Sequence, residues 1–349
     1  MAALEIRAGA EARRTLLEQG LRPELFDVLV GASGGPKWLV ISALDRLLFP
    51  WLAGGALRCV GSSIGAWRHL CLAQPDPAAA LARLEEAYID QSYSARPGPR
   101  EVSDTCARML AYVLGPDGAR CVAAHPRLQS HIVVARGKGP WRSRRTAVLA
   151  AGAAATAALN LLARPAIAAL LERCCFHSGR RGTALRFAGM GTRYVALRED
   201  NVFAAALASG SIPLVAAGVE DLLPGEVCWD GGMTDYHFEP GFGDTPRLTL
   251  YPHFYPRLTS GWFDKPLPWR RTAAECWPQL VLLSPSASFV ASLPGGRIPD
   301  RRDFRRLETR ERQRTWRRVA EAGLRLAEEF DDWRNGRGFA AALERGARR

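Results

Sequence analysis

Three features of this chain could do chemistry: a serine, an aspartate and a glycine-rich loop, each at the end of an apolar run. Ser63 stands at the centre of Gly61-Ser62-Ser63-Ile64-Gly65. Glycines on both sides of a serine allow a turn too sharp for bulky side chains, and such a strand-to-helix turn lifts the hydroxyl out as a nucleophile. The helix that follows begins beneath the hydroxyl, and its positive end favours negative charge nearby. Asp230 lies in Trp229-Asp230-Gly231-Gly232-Met233. A serine needs a partner to take its proton, and a carboxylate becomes a better base when a dry pocket raises its pKa. The third feature is Gly31-Ala32-Ser33-Gly34-Gly35-Pro36-Lys37. Its adjacent glycines let the backbone N–H groups of Gly34 and Gly35 face a site unobstructed, as donors to the oxyanion of acyl transfer must. Lys37, in a first helical turn, opposes the helix dipole at a cost of about 0.3–1 kcal/mol. It is therefore a candidate to bind an anionic group of a substrate. Taken singly, each feature has a plainer alternative: a Gly/Ser βα turn, an Asp-Gly turn, a lysine in solvent. The loop has neither Walker A nor dinucleotide-fingerprint spacing.

The elements that must position these residues follow from hydrophobic patterning. Residues 10–20 read as a helix closed by Gly20. Residues 26–30 form a short apolar run typical of a buried strand. A helix is expected over 38–49, ended by Pro50, then a strand over 56–60 and a helix to about Gln74. Asp76 and Pro77 open a further helix to about Tyr93, and 96–100 reads as a Pro/Gly loop. Strands are expected at 131–135, 193–197, 227–229, 248–251 and 279–283, and a short helix at 202–208. Residues 304–330 read as one charged amphipathic helix, and 339–344 as another. Strand, tight turn, helix, strand, tight turn, helix implies parallel strands joined by a helical crossover. Both glycine turns then fall on the same carboxyl edge of the sheet, where α/β sites form.

The bulk composition is that of a globular chain: 349 residues, 48% apolar and 23% charged. The net charge of +12 is compatible with an anionic membrane surface or an acidic substrate. No aromatic-interleaved basic motif accompanies it, and a nucleic-acid partner is not expected. The eight cysteines include no Cys-x-x-Cys pair and have mostly apolar flanks, which suits buried free thiols in a reducing compartment. The acidic residues Glu5, Glu11 and Glu18 argue against a secretory signal. Residues 147–163 are apolar apart from Thr156 and Asn160 and carry arginines at both ends. This run is slightly short for a membrane span, and reads as a core helix or a lipid-facing lid. No metal or cofactor is expected.

Taken in order, the glycine loop with its basic residue, Gly-x-Ser-x-Gly and Asp-Gly-Gly resemble the patatin-like phospholipase family, in a bacterial-type branch. The small-residue segment Ala208-Ser209-Gly210-Ser211-Ile212-Pro213 fits the same pattern. Ser33 and Trp38 stand where the family usually has glycine. The resemblance covers roughly residues 26–236. It implies a three-layer α/β fold with a mainly parallel central sheet and helices on both faces. Residues 1–300 would form the hydrolase domain, with the core motifs in 26–240 and a helical insertion at about 147–173. Residues 301–349 would form a charged helical C-terminal extension. It also implies lipid acyl hydrolysis by a Ser63–Asp230 dyad without histidine, with Gly34 and Gly35 holding the oxyanion and Lys37 in the family's basic position. The protein would be cytoplasmic or membrane-peripheral, with an ester or lipid as its partner. Two other readings stay open: an α/β-hydrolase triad using His237 or His253 on non-lipid esters, and an inactive lipid-binding scaffold.

Overall fold

The computed structural model describes residues 2–179, 183–220, 222–243 and 247–347. The chain opens with strand β1 (Leu4–Ala8) and helix α1 (Ala10–Gln19), then β2 (Phe26–Gly31), α2 (Ser42–Leu52), β3 (Leu57–Ser62) and α3 (Ile64–Leu72). Three helices follow, α4 (Pro77–Asp90), α5 (Pro99–Leu114) and α6 (Gly118–Ala123), before β4 (Leu128–Gly137), α7 (Thr146–Leu162), β5 (Leu171–His177) and β6 (Thr192–Ala196). Next come α8 (Glu199–Ser209), β7 (Val219–Glu220), β8 (Val227–Asp230), β9 (Leu248–Pro252) and a small hairpin, β10 (Arg257–Thr259) with β11 (Arg271–Ala273). The chain closes with β12 (Leu280–Pro285), α9 (Ala287–Ser292), α10 (Asp303–Arg306), α11 (Thr309–Ala322), α12 (Leu324–Arg334) and α13 (Phe339–Ala347).

The result is an α/β architecture around one mixed, mostly parallel sheet in the order β1-β12-β9-β2-β3-β4-β5-β6. From β12 to β4 the strands are parallel. These five read as near-continuous apolar runs because helices cover them, as parallel sheets require. β1 and β5 are antiparallel additions at the two sides. The C-terminal helices share the main core: Trp316, Leu326 and Phe330 are fully buried in the same cluster as Val28, Leu29 and Leu250.

One pairing detail positions the site. β3 runs along β4 as far as Ser62 opposite Val133. The same edge of β4 is then taken over by β8, running the other way, with Asp230 opposite Val134. Two strands of opposite direction therefore meet tip to tip over a common neighbour. The last residue of one is followed by Ser63, and the last residue of the other is Asp230.

Several expectations need correction. Residues 35–41 form a 3-10 turn, and the α-helix begins only at Ser42. Pro50 does not end α2, which continues to Leu52. The proline removes one hydrogen bond near the end of the helix, while buried Phe49 and Leu52 hold the last turn and Ala53 N–H donates to Phe49 O. The charged C-terminal segment is three helices, broken at Leu307 and at Gly323. A Cβ on Gly323 would lie 2.8 Å from Val40 O, so the bend lets the backbone approach the core. α5 and β5 went unread in the sequence, and residues 171–173 of the expected helical insertion belong to β5. No helix among the described residues is long and apolar enough to cross a membrane.

Candidate functional site

Ser63 sits in the turn between β3 and α3 with φ 54° and ψ −130°, a left-handed conformation rare for a side-chain-bearing residue. Such a conformation costs on the order of 1–3 kcal/mol and persists only when its surroundings hold it. They do: Ser63 N–H donates to Ser209 Oγ at 2.9 Å, and Ser209 Oγ donates to Val133 O at 2.7 Å. The flanking glycines are steric necessities. A Cβ on Gly65 would fall 2.0 Å from Gly31 O, and one on Gly61 2.5 Å from Ala66 N.

Asp230 faces the elbow across the strand junction. Its Oδ2 accepts from Ser63 Oγ at 2.8 Å, and its Oδ1 accepts from Gly232 N–H at 2.7 Å. Only 8% of Ser63 and 6% of Asp230 are exposed. Desolvation pushes the Asp230 carboxyl above its ordinary pKa, and the Ser63 and Gly232 hydrogen bonds and the charges of Arg301 and Lys265 pull the other way. Gly231 must also be glycine, since a Cβ there would meet Val133 O at 2.0 Å.

The glycine loop completes the floor. Ser33, Gly34 and Gly35 line a small depression with Ser63, Asp230 and Arg301. Gly35 has φ +58°, and a Cβ on Gly34 would strike the Phe254 ring at 2.5 Å. Ser33 Oγ donates to Ser62 Oγ at 2.8 Å, because the Ser62 hydroxyl proton goes to Asp235 O at 2.7 Å. This chain of hydroxyls ties the loop to the strand that carries the elbow, which gives Ser33 a role that glycine would lack. Trp38 is fully buried, edge-on to Tyr88, and does not obstruct the loop.

The expected role of Lys37 changes. Its ammonium is ion-paired with Asp300. Lys37 lines the cavity, but its charge is already met.

The depression opens into a cavity of about 1130 Å³, at or above the upper end of ordinary ligand pockets. Its lining includes apolar side chains, among them Val102 and Met109 of α5 and Ile212, Leu214 and Val215, and basic ones, among them Lys265 and Arg301. No residue of α7 lines this cavity, so the structure does not make that helix its lid. Instead α7 buries Leu149, Gly152, Thr156 and Asn160 on one face, where Thr156 accepts from Trp141 Nε1 and Asn160 donates to Asp264.

No described histidine hydrogen-bonds to Ser63. His237 lines the cavity, but its Nδ1 accepts from Thr259 N–H and burial lowers its pKa well below the usual value. His253 Nδ1 accepts from Tyr255 N–H, and burial brings its pKa to about 3. His69 is buried against Phe49. Among the described residues, no cluster of His, Cys, Asp and Glu could hold a metal ion.

Behind the site stand two buried ion pairs that sequence reasoning missed. Arg68 of α3 grips Asp45 of α2 through two hydrogen bonds of 2.6 Å. Arg173 of β5 grips Asp235 at 2.7 and 2.8 Å. Ser209 lay within the small-residue segment noted in the sequence, whereas Arg173, Asp235, Lys265 and Arg301 carried no motif. A scan against protein-family models returns no match, and a search of curated proteins returns none either.

Proposed function

We propose that this protein is a serine acyl hydrolase of the patatin-like type, cleaving carboxylic esters of lipids through a Ser63–Asp230 dyad. The observation that carries the reading is the 2.8 Å hydrogen bond from Ser63 Oγ to Asp230 Oδ2 at a left-handed elbow. In this reading Asp230 takes the hydroxyl proton as Oγ bonds to the ester carbonyl carbon. The resulting oxyanion is met by the N–H groups of Gly34 and Gly35. Collapse breaks the bond to the leaving alkoxide, which receives the proton from Asp230. Water, deprotonated by Asp230, then releases the acid and restores the serine. Burial supports the role of base, because a raised carboxyl pKa brings it nearer to the pH of its task. The apolar lining suits an acyl chain.

The test is hydrolysis of a p-nitrophenyl ester chain-length series together with labelling by a fluorophosphonate probe. Ser63→Ala is expected to abolish both, and Asp230→Asn to cost at least about 10⁴-fold in turnover. His237→Asn and His253→Asn are expected to retain turnover. An inert wild type that also resists the probe would leave the inactive scaffold as the better account. Loss of turnover in a histidine variant alone would favour a triad.

A further inference from the structure

We infer that the cavity is built for an anionic amphiphile, whose acyl chain lies on the apolar lining residues and whose anionic group sits between Arg301 and Lys265. As a statement about substrate, this rests on the acyl-hydrolase reading. As a statement about the cavity, it rests on charge alone.

Six basic side chains without a carboxylate partner among the described residues line this cavity: Arg257, Lys265, Arg271, Arg301, Arg302 and Arg305. Among the described residues, the only carboxylate on its lining is Asp300, which is engaged by Lys37. Asp230 lies in the adjoining depression, hydrogen-bonded by the neutral Ser63 hydroxyl, and adds one more negative charge that acts on Lys265 and Arg301. Elsewhere the fully buried arginines have their charge met within the protein: Arg68 by Asp45, Arg173 by Asp235, and Arg312 by the Ile89 and Gln91 carbonyls and the Phe304 and Trp316 rings. A cluster of basic groups that outnumbers the nearby carboxylates in a partly enclosed space is costly, and it marks a place where further negative charge arrives with a ligand.

The six fall into two groups. Arg257, Arg271, Arg302 and Arg305 are exposed at the rim, whereas Lys265 and Arg301 are half-buried. The inner two lie next to the reacting groups. The Arg301 side chain packs on the oxyanion loop, so that a Cβ on Gly35 would come within 3.4 Å of its Cγ. It also lines the depression holding Ser63 and Asp230. Lys265 Nζ stands 3.7 Å above the Tyr236 ring, a second member of that depression. Burial, Arg301 and Lys37 lower the Lys265 pKa to about 6, so near neutral pH the amine is largely neutral, and an arriving anion would offset Arg301 and draw a proton onto Lys265. A guanidinium offers a fork of donors to phosphate or carboxylate, and both anions are admitted. The apolar lining residues Val102, Met109, Ile212, Leu214 and Val215 offer nothing to an anion and suit a hydrocarbon chain. A cavity lined by both kinds of side chain suits an amphiphile.

The test uses the Ser63→Ala protein, so that binding is read without turnover. Decyl phosphate and decanoate are titrated against decyl glucoside, all below their aggregation concentrations, by calorimetry. The phosphate is expected to bind at least about tenfold more tightly than the glucoside. The advantage should shrink as salt screens it. Adding Arg301→Gln or, independently, Lys265→Gln should remove most of that advantage. The decanoate arm tells whether a carboxylate serves as well as a phosphate. Equal affinities for charged and neutral chains, or a preference untouched by both substitutions, would overturn the inference. Hydrolysis is scored separately on wild type. Anion-selective binding without esterase activity removes the catalytic reading alone, and esterase activity without anion selectivity in binding removes this one alone.

Discussion

The cations behind the site and the cations in front of it are treated in opposite ways. Behind it, Arg68 and Arg173 are about 1% exposed, and each is matched by a carboxylate in a two-point grip. In front of it, Lys265 and Arg301 share a confined space with each other and with Lys37, and have no carboxylate of their own. The first set fixes α3 to α2 and β5 to the segment following Asp230, which holds Ser63 and Asp230 in register. The second set is poised against itself. Charge satisfied within the chain belongs to the framework, and charge left over belongs to whatever enters.

That contrast can be broken by substitution. The largest effect is expected in the framework. Asp45→Ala leaves Arg68 buried and unpaired, and should cost about 3–5 kcal/mol of stability in denaturant unfolding. A loss below about 1 kcal/mol would mean the pair is not a structural tie. Gly65→Ala strikes backbone rather than a flexible side chain. It should cost about 1–3 kcal/mol and abolish fluorophosphonate labelling even where the protein still folds.

In the cavity the sign should reverse. The folded-state pKa of Lys265 lies near 6, against an ordinary 10.5. Between those values the unfolded chain binds more protons than the folded one. Stability therefore falls as pH drops through this range, and the penalty is complete below about 6. The charges facing Lys265 are Arg301 and Lys37, which disfavour its ammonium, and Asp230 and Asp300, which favour it. Lys265→Met should raise the melting temperature, with a gain larger at pH 6 than at pH 9.5. A gain independent of pH would point to packing instead. The smallest effect is a shift in a pH profile. Arg301 lowers the Asp230 pKa, so Arg301→Gln should move the acid limb of kcat/KM to higher pH. A limb that does not move would separate Arg301 from the base.

Much of the site was legible because its signals were local. Ser63 follows an apolar strand and Asp230 ends one, each with glycine within two residues after it, and the tightness of each turn dictates those residue types within a few positions. Arg301 and Lys265 could not be read this way. They reach the cavity from separate connections near the end of the chain, and arginine in so basic a sequence is no signal by itself. α5 was missed because Gly98 and Pro99 read as a loop, although a proline at the first position of a helix is a start signal. With α5 went part of the apolar lining. Pro50 and Gly323 show the converse: local rules placed a break where buried Phe49 and Leu52 override it, and none where the backbone presses on Val40.

The tip-to-tip meeting of β3 and β8 has a consequence for how this site tolerates change. The spacing between Ser63 and Asp230 is measured out along β4, one residue for each side of the junction, like two marks on a ruler. The chain between α8 and β8 can lengthen or shorten without altering that spacing, since it does not lie on the ruler. A single residue inserted between Val133 and Val134 would shift one mark by about 3.3 Å and turn its side chain to the opposite face. Length can therefore vary in the connection beyond the cavity-lining residues 210–216, and cannot vary in β4, although β4 carries neither Ser63 nor Asp230.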